Sequence, residues 1–209
     1  MSLLIRMDLI IKQDFSMIYL LLADGFEEIE TLGTIDILRR CNLQVQTLSV
    51  TGKRVVVSAR GVVIKADSLY RKNHMDNCEA IILPGGLKGA ETLEKNVILR
   101  QTLQAFNEEG VLIAAICAAP MVLGTAGILD GKHATIYPGM EDHIQNAIYH
   151  HDGLVVIDGN IITACGPAAT PMFAFSIARY LHPNEMVVGQ VEIGMCFQPN
   201  DYKYRILKY

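Results

Sequence analysis

The sequence predicts a doubly wound α/β fold, in which a mostly parallel β-sheet is sandwiched by helices. Short runs of continuous apolar residues, typical of strands that are buried on both faces, recur along the chain. Segments with helical apolar spacing separate these runs, and this alternation is the pattern of a parallel sheet. The chain has 209 residues, of which 51% are hydrophobic and 19% charged, so it has the size and composition of one globular domain.

Four of the predicted strands are short segments, and all of them except the second are apolar throughout. They span residues 17–22, 45–50, 80–83 and 111–115. Two further pairs of segments predict antiparallel hairpins, because a turn signal separates two β-branched runs in each pair. These pairs are 54–58 with 62–66, around Arg60-Gly61, and 155–157 with 161–163, around Asp158-Gly159-Asn160.

Helical spacing of the apolar residues predicts the elements that connect these strands. Asp24 lies three residues before Glu27, which is a weak capping-box signal for the first helix. Gly110 is suited to the C-terminal end of another helix. The predicted helices span residues 27–40, 97–109, 121–126 and 171–181.

One domain over residues 17–185 accounts for these elements, because no linker, internal repeat or low-complexity tract divides them. Residues 1–16 precede the first strand, and charged residues interrupt their apolar stretches, so a signal peptide is not predicted. We interpret them as an N-terminal arm or an upstream start. Residues 186–209 are interpreted as a C-terminal extension that packs on the domain.

Charge and cysteine content limit the classes of partner. The net charge is -4, and no cluster of Lys and Arg residues favours a nucleic acid or an anionic membrane surface. No apolar run reaches the roughly 20 residues of a membrane span. The five cysteines show no CxxC spacing, which predicts free thiols in a reducing cytoplasm rather than a disulfide framework.

Neither a cofactor nor a metal is predicted. The glycine-rich segment 85–89 lacks the Lys-Ser/Thr ending of a phosphate-binding loop. His150 and His151 could ligate a metal ion, but no third ligand stands at a suitable spacing. We therefore interpret them as an exposed loop pair, and His133 as a surface residue.

Cys117 is the first candidate for catalysis. It lies between the predicted strand at 111–115 and the predicted helix at 121–126. Backbone N–H groups and the dipole at a helix N-terminus favour a thiolate, so we expect this thiol to titrate below its ordinary value of about 8.5 and to act as a nucleophile. The alternative is a buried and inert core cysteine, which is a common environment of a free thiol.

Three other segments follow predicted strands and should meet Cys117 at the carboxyl edge of the sheet. Glu30 lies in the first turn of its helix, where a carboxyl group directed onto a thiolate would have a raised pKa and could carry a proton. A solvated acidic turn is the simpler interpretation, and we apply it to Glu27 or Glu28. Gly85-Gly86 could present N–H groups to an oxyanion or merely form a tight turn, and Gly166-Pro167 could merely start a helix.

Taken together, four segments resemble the ThiJ/PfpI family, in the family's order between residues 17 and 181. They are GFEEIET at 25–31, LPGG at 83–86, AAICAAP at 114–120 and GP at 166–167. The resemblance implies a flavodoxin-like α/β sandwich, a homodimer and a nucleophilic Cys117. It also implies a protonated Glu30 in contact with that cysteine, and an oxyanion site formed by the N–H groups of Gly86 and Ala118. Arg60 matches a family arginine that would approach the site of the neighbouring subunit.

The chain departs from the family pattern at three positions. Ala118 stands where the protease-like branch has histidine, so peptidase chemistry by a Cys-His pair is not expected. Tyr137 and Pro138 replace a His-Pro pair, and a tyrosine can donate a hydrogen bond but is a poor base at neutral pH. Leu87 replaces a polar residue that commonly follows the glycine pair. The last two changes bear on the rate of any aldehyde chemistry.

The implied function is that of a cofactor-independent, cysteine-dependent enzyme. Its substrate would be a small carbonyl compound, namely a reactive 2-oxoaldehyde or its adduct, as in a glyoxalase or a deglycase. The alternative is a non-enzymatic oxidative-stress sensor or holdase chaperone that uses the same cysteine. Cys165 stands where the family usually has another residue, and it is either a partly buried bystander or a resolving thiol for a sulfenic acid on Cys117.

Overall fold

The computed structural model describes residues 16–71, 75, 77–182, 184–197 and 205–209. Apart from Ser16, the N-terminal arm expected at 1–16 lies outside the described residues. The described part is a mostly parallel central sheet flanked by helices on both faces, which confirms the predicted flavodoxin-like, doubly wound α/β class.

Twelve strands are formed by the described residues, and eight of them make the central sheet. The strands are β1 (Met17–Leu22), β2 (Val45–Ser49), β3 (Val55–Val57), β4 (Val63–Lys65), β5 (Ser68–Leu69), β6 (Cys78–Leu83), β7 (Leu112–Ile116), β8 (His133–Ala134), β9 (Ile148–Tyr149), β10 (Val155–Asp158), β11 (Ile161–Ala164) and β12 (Ile206–Lys208). The sheet order is β12-β10-β11-β7-β6-β1-β2-β5. Only β10 and β12 run against the other strands, because β10 pairs antiparallel with β11 and parallel with β12.

Six α-helices formed by the described residues cover the sheet. They are α1 (Glu28–Arg40), α2 (Leu87–Lys95), α3 (Val97–Glu108), α4 (Pro120–Thr125), α5 (Thr170–Leu181) and α6 (Glu185–Gly194). Buried residues of α1, α5 and α6 share one apolar layer, and those of α2, α3 and α4 share the layer on the opposite face. Helix α2 is not predicted by the sequence pattern, because the glycines at 85, 86 and 89 indicate a turn in this segment.

Burial on both faces explains why the strands are apolar without alternation. In β1, Ile18, Leu20 and Leu22 enter the layer of α1 and α5, whereas Tyr19 and Leu21 enter the opposite layer. All five side chains are at most 5% exposed. The central position of β1, between β6 and β2, is consistent with this pattern.

The C-terminal residues contribute a helix and an edge strand. Val188 of α6 is fully buried, and the Arg179 guanidinium on α5 donates to the Glu192 carboxylate on α6 over 2.6 Å. Further along, β12 extends the sheet by pairing with β10. The division of the chain at residue 185 stays a prediction. No helix in the described ranges combines the length and apolarity needed to cross a membrane.

Candidate active site

Four loops that leave neighbouring strands meet at the carboxyl edge of the sheet. The strands are β1, β6, β7 and β11, which are consecutive neighbours in the sheet because β1 pairs with β6, β6 with β7 and β7 with β11. Gly86, Cys117 and Cys165 follow their strands immediately or shortly, and the loop after β1 leads to Glu30 in the first turn of α1. The order of the strands therefore brings together residues that are up to 135 positions apart in the sequence.

Cys117 occupies a strained turn directly after β7. Its φ is 63°, in the left-handed region, which costs a residue with a side chain roughly 1–2 kcal/mol. Neighbouring segments hold this conformation: the Cys117 N–H donates to the Ala164 carbonyl over 2.8 Å, and the Cys117 carbonyl accepts from the Tyr137 N–H over 2.9 Å. Backbone strain of this kind concentrates at functional sites. The side chain is 9% exposed, so a small reactant has limited access to the sulfur.

Two backbone N–H groups point at the Cys117 sulfur. They belong to Gly86 and Ala118, the same residues for which the family resemblance implies an oxyanion site. Gly86 has a φ of +85° and is the N-cap residue of α2. The sulfur therefore rests in a small cradle of donors that favours negative charge.

Glu30 is fully buried on the inner side of α1. One carboxyl oxygen, Oε2, accepts the Gly85 N–H over 2.8 Å. The other oxygen, Oε1, meets no hydrogen-bond partner of ordinary geometry among the described residues, and the Cys117 thiol is the side chain that acts on this carboxyl group. A Cβ added at Gly85 would lie 2.5 Å from Glu30 Oε2 and 2.6 Å from Cys117 Cβ, so the two side chains lie beside each other.

Burial raises the pKa of Glu30 to about 7. The charge of Glu27 adds to this rise, whereas the Cys117 thiol and the Gly85 N–H oppose it. Loss of water disfavours the charged form of a carboxyl group, which is why burial has this sign. A carboxyl group of this pKa can both give and accept a proton near neutral pH.

Burial also raises the pKa of the Cys117 thiol, and the Glu30 carboxylate raises it further, while the N–H groups of Gly86 and Ala118 lower it. The expectation of a lowered thiol pKa is therefore wrong. Its physical premise also fails, because α4 begins only at Pro120 and is six residues long, so Cys117 does not cap a helix. The pKa of each group depends on the other group, and Glu30 is the base within reach of the thiol.

The three acidic residues of the EEIE segment have three different roles. Glu27 is the N-cap of α1, because its carboxylate accepts the Glu30 N–H over 2.8 Å. Glu28 accepts from the Ser58 hydroxyl over 2.5 Å and from the Arg60 N–H over 2.6 Å. Neither residue is merely a solvated acid, and Asp24, which was expected to cap the helix, instead accepts the Val57 N–H over 2.9 Å.

Arg60, Leu87 and Tyr137 lie at the periphery of the site. Arg60 and Leu87 line an open cavity of about 520 Å3 together with Lys88 and Asp24. The Arg60 guanidinium donates to the Ala59 carbonyl over 3.5 Å, and its approach to a second subunit stays a prediction. The Tyr137 side chain is half-exposed and its ring packs beside Gly166, where an added Cβ would lie 3.4 Å from the ring.

Cys165 follows β11 and is partly buried. Burial raises the pKa of its thiol, the charge of Arg205 lowers it, and the charge of Glu30 raises it. The Glu30 charge therefore reaches this second sulfur. Sequence reasoning missed Arg205, because nothing in the C-terminal pattern indicates that its segment returns to the active edge of the sheet.

The histidines outside the site are arranged differently from the expectation. His133 Nδ1 lies 2.8 Å from His150 Nε2, and the His133 ring stacks on Tyr209 with a centroid distance of 3.6 Å. His133 and His150 are both partly buried, so they are neither a surface residue nor part of an exposed loop pair, whereas His151 is exposed. In the described part of the chain, no three His, Cys, Asp or Glu side chains form a candidate metal site.

Comparison with known proteins identifies a family that this chain matches. The model of the DJ-1/PfpI family matches residues 16–180. The protein dj-1beta of Drosophila melanogaster is 38% identical over 168 residues, which are 80% of this chain and 90% of that protein. Its crystal structure has a TM-score of 0.83 and covers 88% of this chain and 98% of its own, at 35% identity.

Two further relatives give the same result. The Parkinson disease protein 7 homolog of Danio rerio is 35% identical over 175 residues, which are 82% of this chain and 92% of that protein. The structure of oxidized Toxoplasma gondii DJ-1 has a TM-score of 0.80 at 32% identity, and it covers 87% of this chain and 98% of its own. The matched region includes the whole cradle around Cys117.

Proposed function

Because this chain belongs to the DJ-1/PfpI family, we propose that it is a cofactor-independent, cysteine-dependent enzyme that acts on reactive 2-oxoaldehydes or their adducts. One observation carries the proposal: a buried carboxyl group with a pKa of about 7 lies beside a thiol that two backbone N–H groups approach. A nucleophile, an adjacent base and donors for negative charge are the parts that carbonyl chemistry requires.

The proposed reaction begins with the attack of the Cys117 sulfur on the aldehyde carbon. A carbon–sulfur bond forms, the thiol proton passes through Glu30 to the carbonyl oxygen, and the product is a hemithioacetal. The N–H groups of Gly86 and Ala118 stabilise the negative charge that develops beside the sulfur.

Glu30 then removes the proton from the former aldehyde carbon and returns it to the adjacent carbonyl carbon, while the hydroxyl proton on the first carbon passes to the oxygen of the second. The first carbon is oxidised and the second reduced, so the step needs no external redox partner. The resulting 2-hydroxyacyl thioester is hydrolysed by water, which releases a 2-hydroxy acid and restores the thiol. The pKa of Glu30 near neutrality suits both proton transfers.

Incubation with methylglyoxal tests this proposal. The wild-type protein is expected to consume methylglyoxal and to form lactate, whose D- or L-configuration stereospecific lactate dehydrogenases would identify. Cys117→Ser is expected to reduce lactate formation to the background rate, because a serine hydroxyl is a far weaker nucleophile beside a base of this strength. Cys78→Ser is the matched control, since Cys78 begins β6 at the opposite edge of the sheet. Equal rates for wild type and Cys117→Ser would refute the enzymatic proposal.

A second candidate is an oxidative-stress sensor or holdase without turnover. The similarity to oxidized Toxoplasma gondii DJ-1 favours it. A protonated Glu30 could also donate a hydrogen bond to an oxidised Cys117. In this case the protein would form no lactate, and mass spectrometry after mild peroxide treatment would find added oxygen on Cys117.

None of the five cysteines is in a disulfide, which supports a reducing compartment such as the cytoplasm as the place of either function.

A homodimer is the proposed assembly. Exposed apolar side chains are present on α1 and on the β3–β4 hairpin, which Glu28 ties to α1 through Ser58 and Arg60. They are Ile29, Leu32, Val55, Val57 and Val63, with exposed fractions of 40–62%. An apolar patch of this kind is typical of a protein–protein interface, and a second copy of the chain would bury it.

Sedimentation analysis would measure this assembly. The wild-type protein is expected to have twice the mass of the chain, and Val63→Glu should shift it towards the monomer, because a buried unpaired carboxylate is costly. Val97→Glu is the control, since Val97 is 54% exposed on the opposite layer of helices. A monomeric wild type would contradict the proposed dimer without bearing on the chemistry at Cys117.

A further inference from the structure

We propose that Cys165 is a resolving thiol, which captures a sulfenic acid formed on Cys117 and closes a reversible disulfide across β7 and β11. This is a redox switch on the enzyme rather than a step of its carbonyl reaction. Three observations support this role: the positions of the two cysteines after β7 and β11, the register of these strands, and the charge of Arg205.

The strand register sets the distance between the two cysteines. Ile116 of β7 is the Cα partner of Ala164 of β11, and each cysteine directly follows one member of this pair. The Cys117 N–H still donates to the Ala164 carbonyl over 2.8 Å, so the strands have not separated at this point. Neighbouring strands lie about 4.8 Å apart, and disulfides join Cα atoms that are about 4.4–6.8 Å apart.

The two side chains also share an environment. Cys117 is part of the apolar layer under α1 and α5, and Cys165 packs against that same layer. The charge of Glu30 acts on both thiols. The two sulfurs therefore lie on the same side of the sheet, near one carboxyl group.

The other three cysteines are badly placed for this reaction. Cys41 ends α1 and Cys78 begins β6, so both lie at the amino edge of the parallel strands, away from Cys117. Cys196 is exposed beyond the end of α6. Position in the fold therefore selects Cys165 as the intramolecular partner.

Arg205 makes Cys165 more suitable for attack. Its positive charge opposes the effect of burial on the pKa of the Cys165 thiol and so favours the thiolate, which is the attacking form. Leu154 bridges the two residues, because its N–H donates to the Arg205 carbonyl over 2.9 Å and its carbonyl accepts the Cys165 N–H over 3.1 Å. The C-terminal segment is thus a positioning element for the second thiol.

The chemistry requires a hydroperoxide as the oxidant. The Cys117 thiolate attacks the peroxide, a sulfur–oxygen bond forms as the oxygen–oxygen bond breaks, and the leaving oxygen takes up a proton and departs as water or an alcohol. Cys165 then attacks the Cys117 sulfur, the sulfur–sulfur bond forms, and the hydroxyl group leaves as water with the proton of the Cys165 thiol. Two thiols are oxidised and one peroxide is reduced.

Peroxide treatment with non-reducing peptide mapping tests the switch. Wild-type protein exposed to hydrogen peroxide at an equimolar ratio should yield a peptide that links Cys117 to Cys165, about 2 Da lighter than its separate parts, and dithiothreitol should restore both thiols. Cys165→Ser should yield no such link and several-fold more sulfinate on Cys117, because the sulfenic acid is no longer captured. Cys78→Ser should behave as wild type.

Arg205 variants separate electrostatics from packing. Arg205→Gln should slow disulfide formation and increase the yield of Cys117 sulfinate, whereas Arg205→Lys should restore most of the wild-type rate because it keeps the charge. If Arg205 acted only through packing, the rates of these variants would not follow the charge of the side chain.

Two results would overturn the inference. One is an oxidised Cys117 in wild-type protein without any linked peptide, which decides the matter even where Cys165→Ser fails to fold. The other is the same yield of sulfinate in wild type and Cys165→Ser. Both measurements are made without an aldehyde, so they are independent of the proposed carbonyl reaction.

Discussion

Glu30→Gln is expected to lower the rate of lactate formation from methylglyoxal by about 100-fold or more, because a general base contributes roughly 10²–10⁴ to such reactions. The glutamine keeps an oxygen for the Gly85 N–H, which lies 2.8 Å from Glu30 Oε2, but it cannot carry a proton. Glu91→Gln on α2 is the control, since that side chain is exposed and pairs only with Lys95 at 3.9 Å. Activity within about two-fold of wild type would exclude Glu30 as the base.

The same variant should change the pH dependence of Cys117 alkylation by iodoacetamide. In wild type the Glu30 carboxylate raises the pKa of the Cys117 thiol, so the rate should rise only at high pH. Glu30→Gln removes that negative charge, so the rise should move to lower pH, although burial still raises the pKa of the thiol. An unchanged profile would mean that the two groups are not coupled.

The pH dependence of stability is a second, independent measure of the raised pKa of Glu30. Its pKa is raised from 4.5 to about 7 on folding, so between these values the folded state binds more protons than the unfolded state. The free energy of unfolding should therefore fall as the pH rises from 5 to 8, by up to about 3 kcal/mol from this group. Denaturant titrations at both pH values should show this loss in wild type and a much smaller one in Glu30→Gln.

Gly86→Ala is expected to destabilise the protein by about 3–5 kcal/mol, because two penalties add. Gly86 has a φ of +85°, and a Cβ there would overlap the Gly25 carbonyl oxygen and lie 2.8 Å from the Glu27 nitrogen. The neighbouring atoms are backbone and cannot rotate away. The displaced turn would also withdraw an N–H group from the Cys117 sulfur, so any protein that folds should lose lactate formation.

Gly110→Ala is the matched control for that variant. Gly110 has a comparable φ of +76°, but a Cβ there would have no neighbour within 4 Å. It should cost only the conformational penalty of about 1–2 kcal/mol and leave the alkylation of Cys117 unchanged. Equal destabilisation by both alanines, measured by urea denaturation, would contradict the role of close backbone approach at Gly86.

Local patterns in the sequence were sufficient for most of the elements and for the class of fold. Continuous apolar runs predicted β1, β6 and β7, and turn signals predicted the two hairpins, because both features depend on neighbouring residues alone. The short helix α2 was missed, since its glycines indicated a turn. The edge strand β12 was also missed, because its three residues carry no periodic signal.

The sequence by itself determined which residues stand at the strand ends, and these include Glu30, Gly86, Cys117 and Cys165. Only the tertiary structure decided how they act on one another, since strand order and burial are properties of the packed chain. Burial reversed the expected direction of the Cys117 pKa, and it gave Glu30 a pKa near neutrality. The return of Arg205 to Cys165 likewise depends on sheet pairing between β10 and β12, about 50 residues apart, which no local pattern encodes.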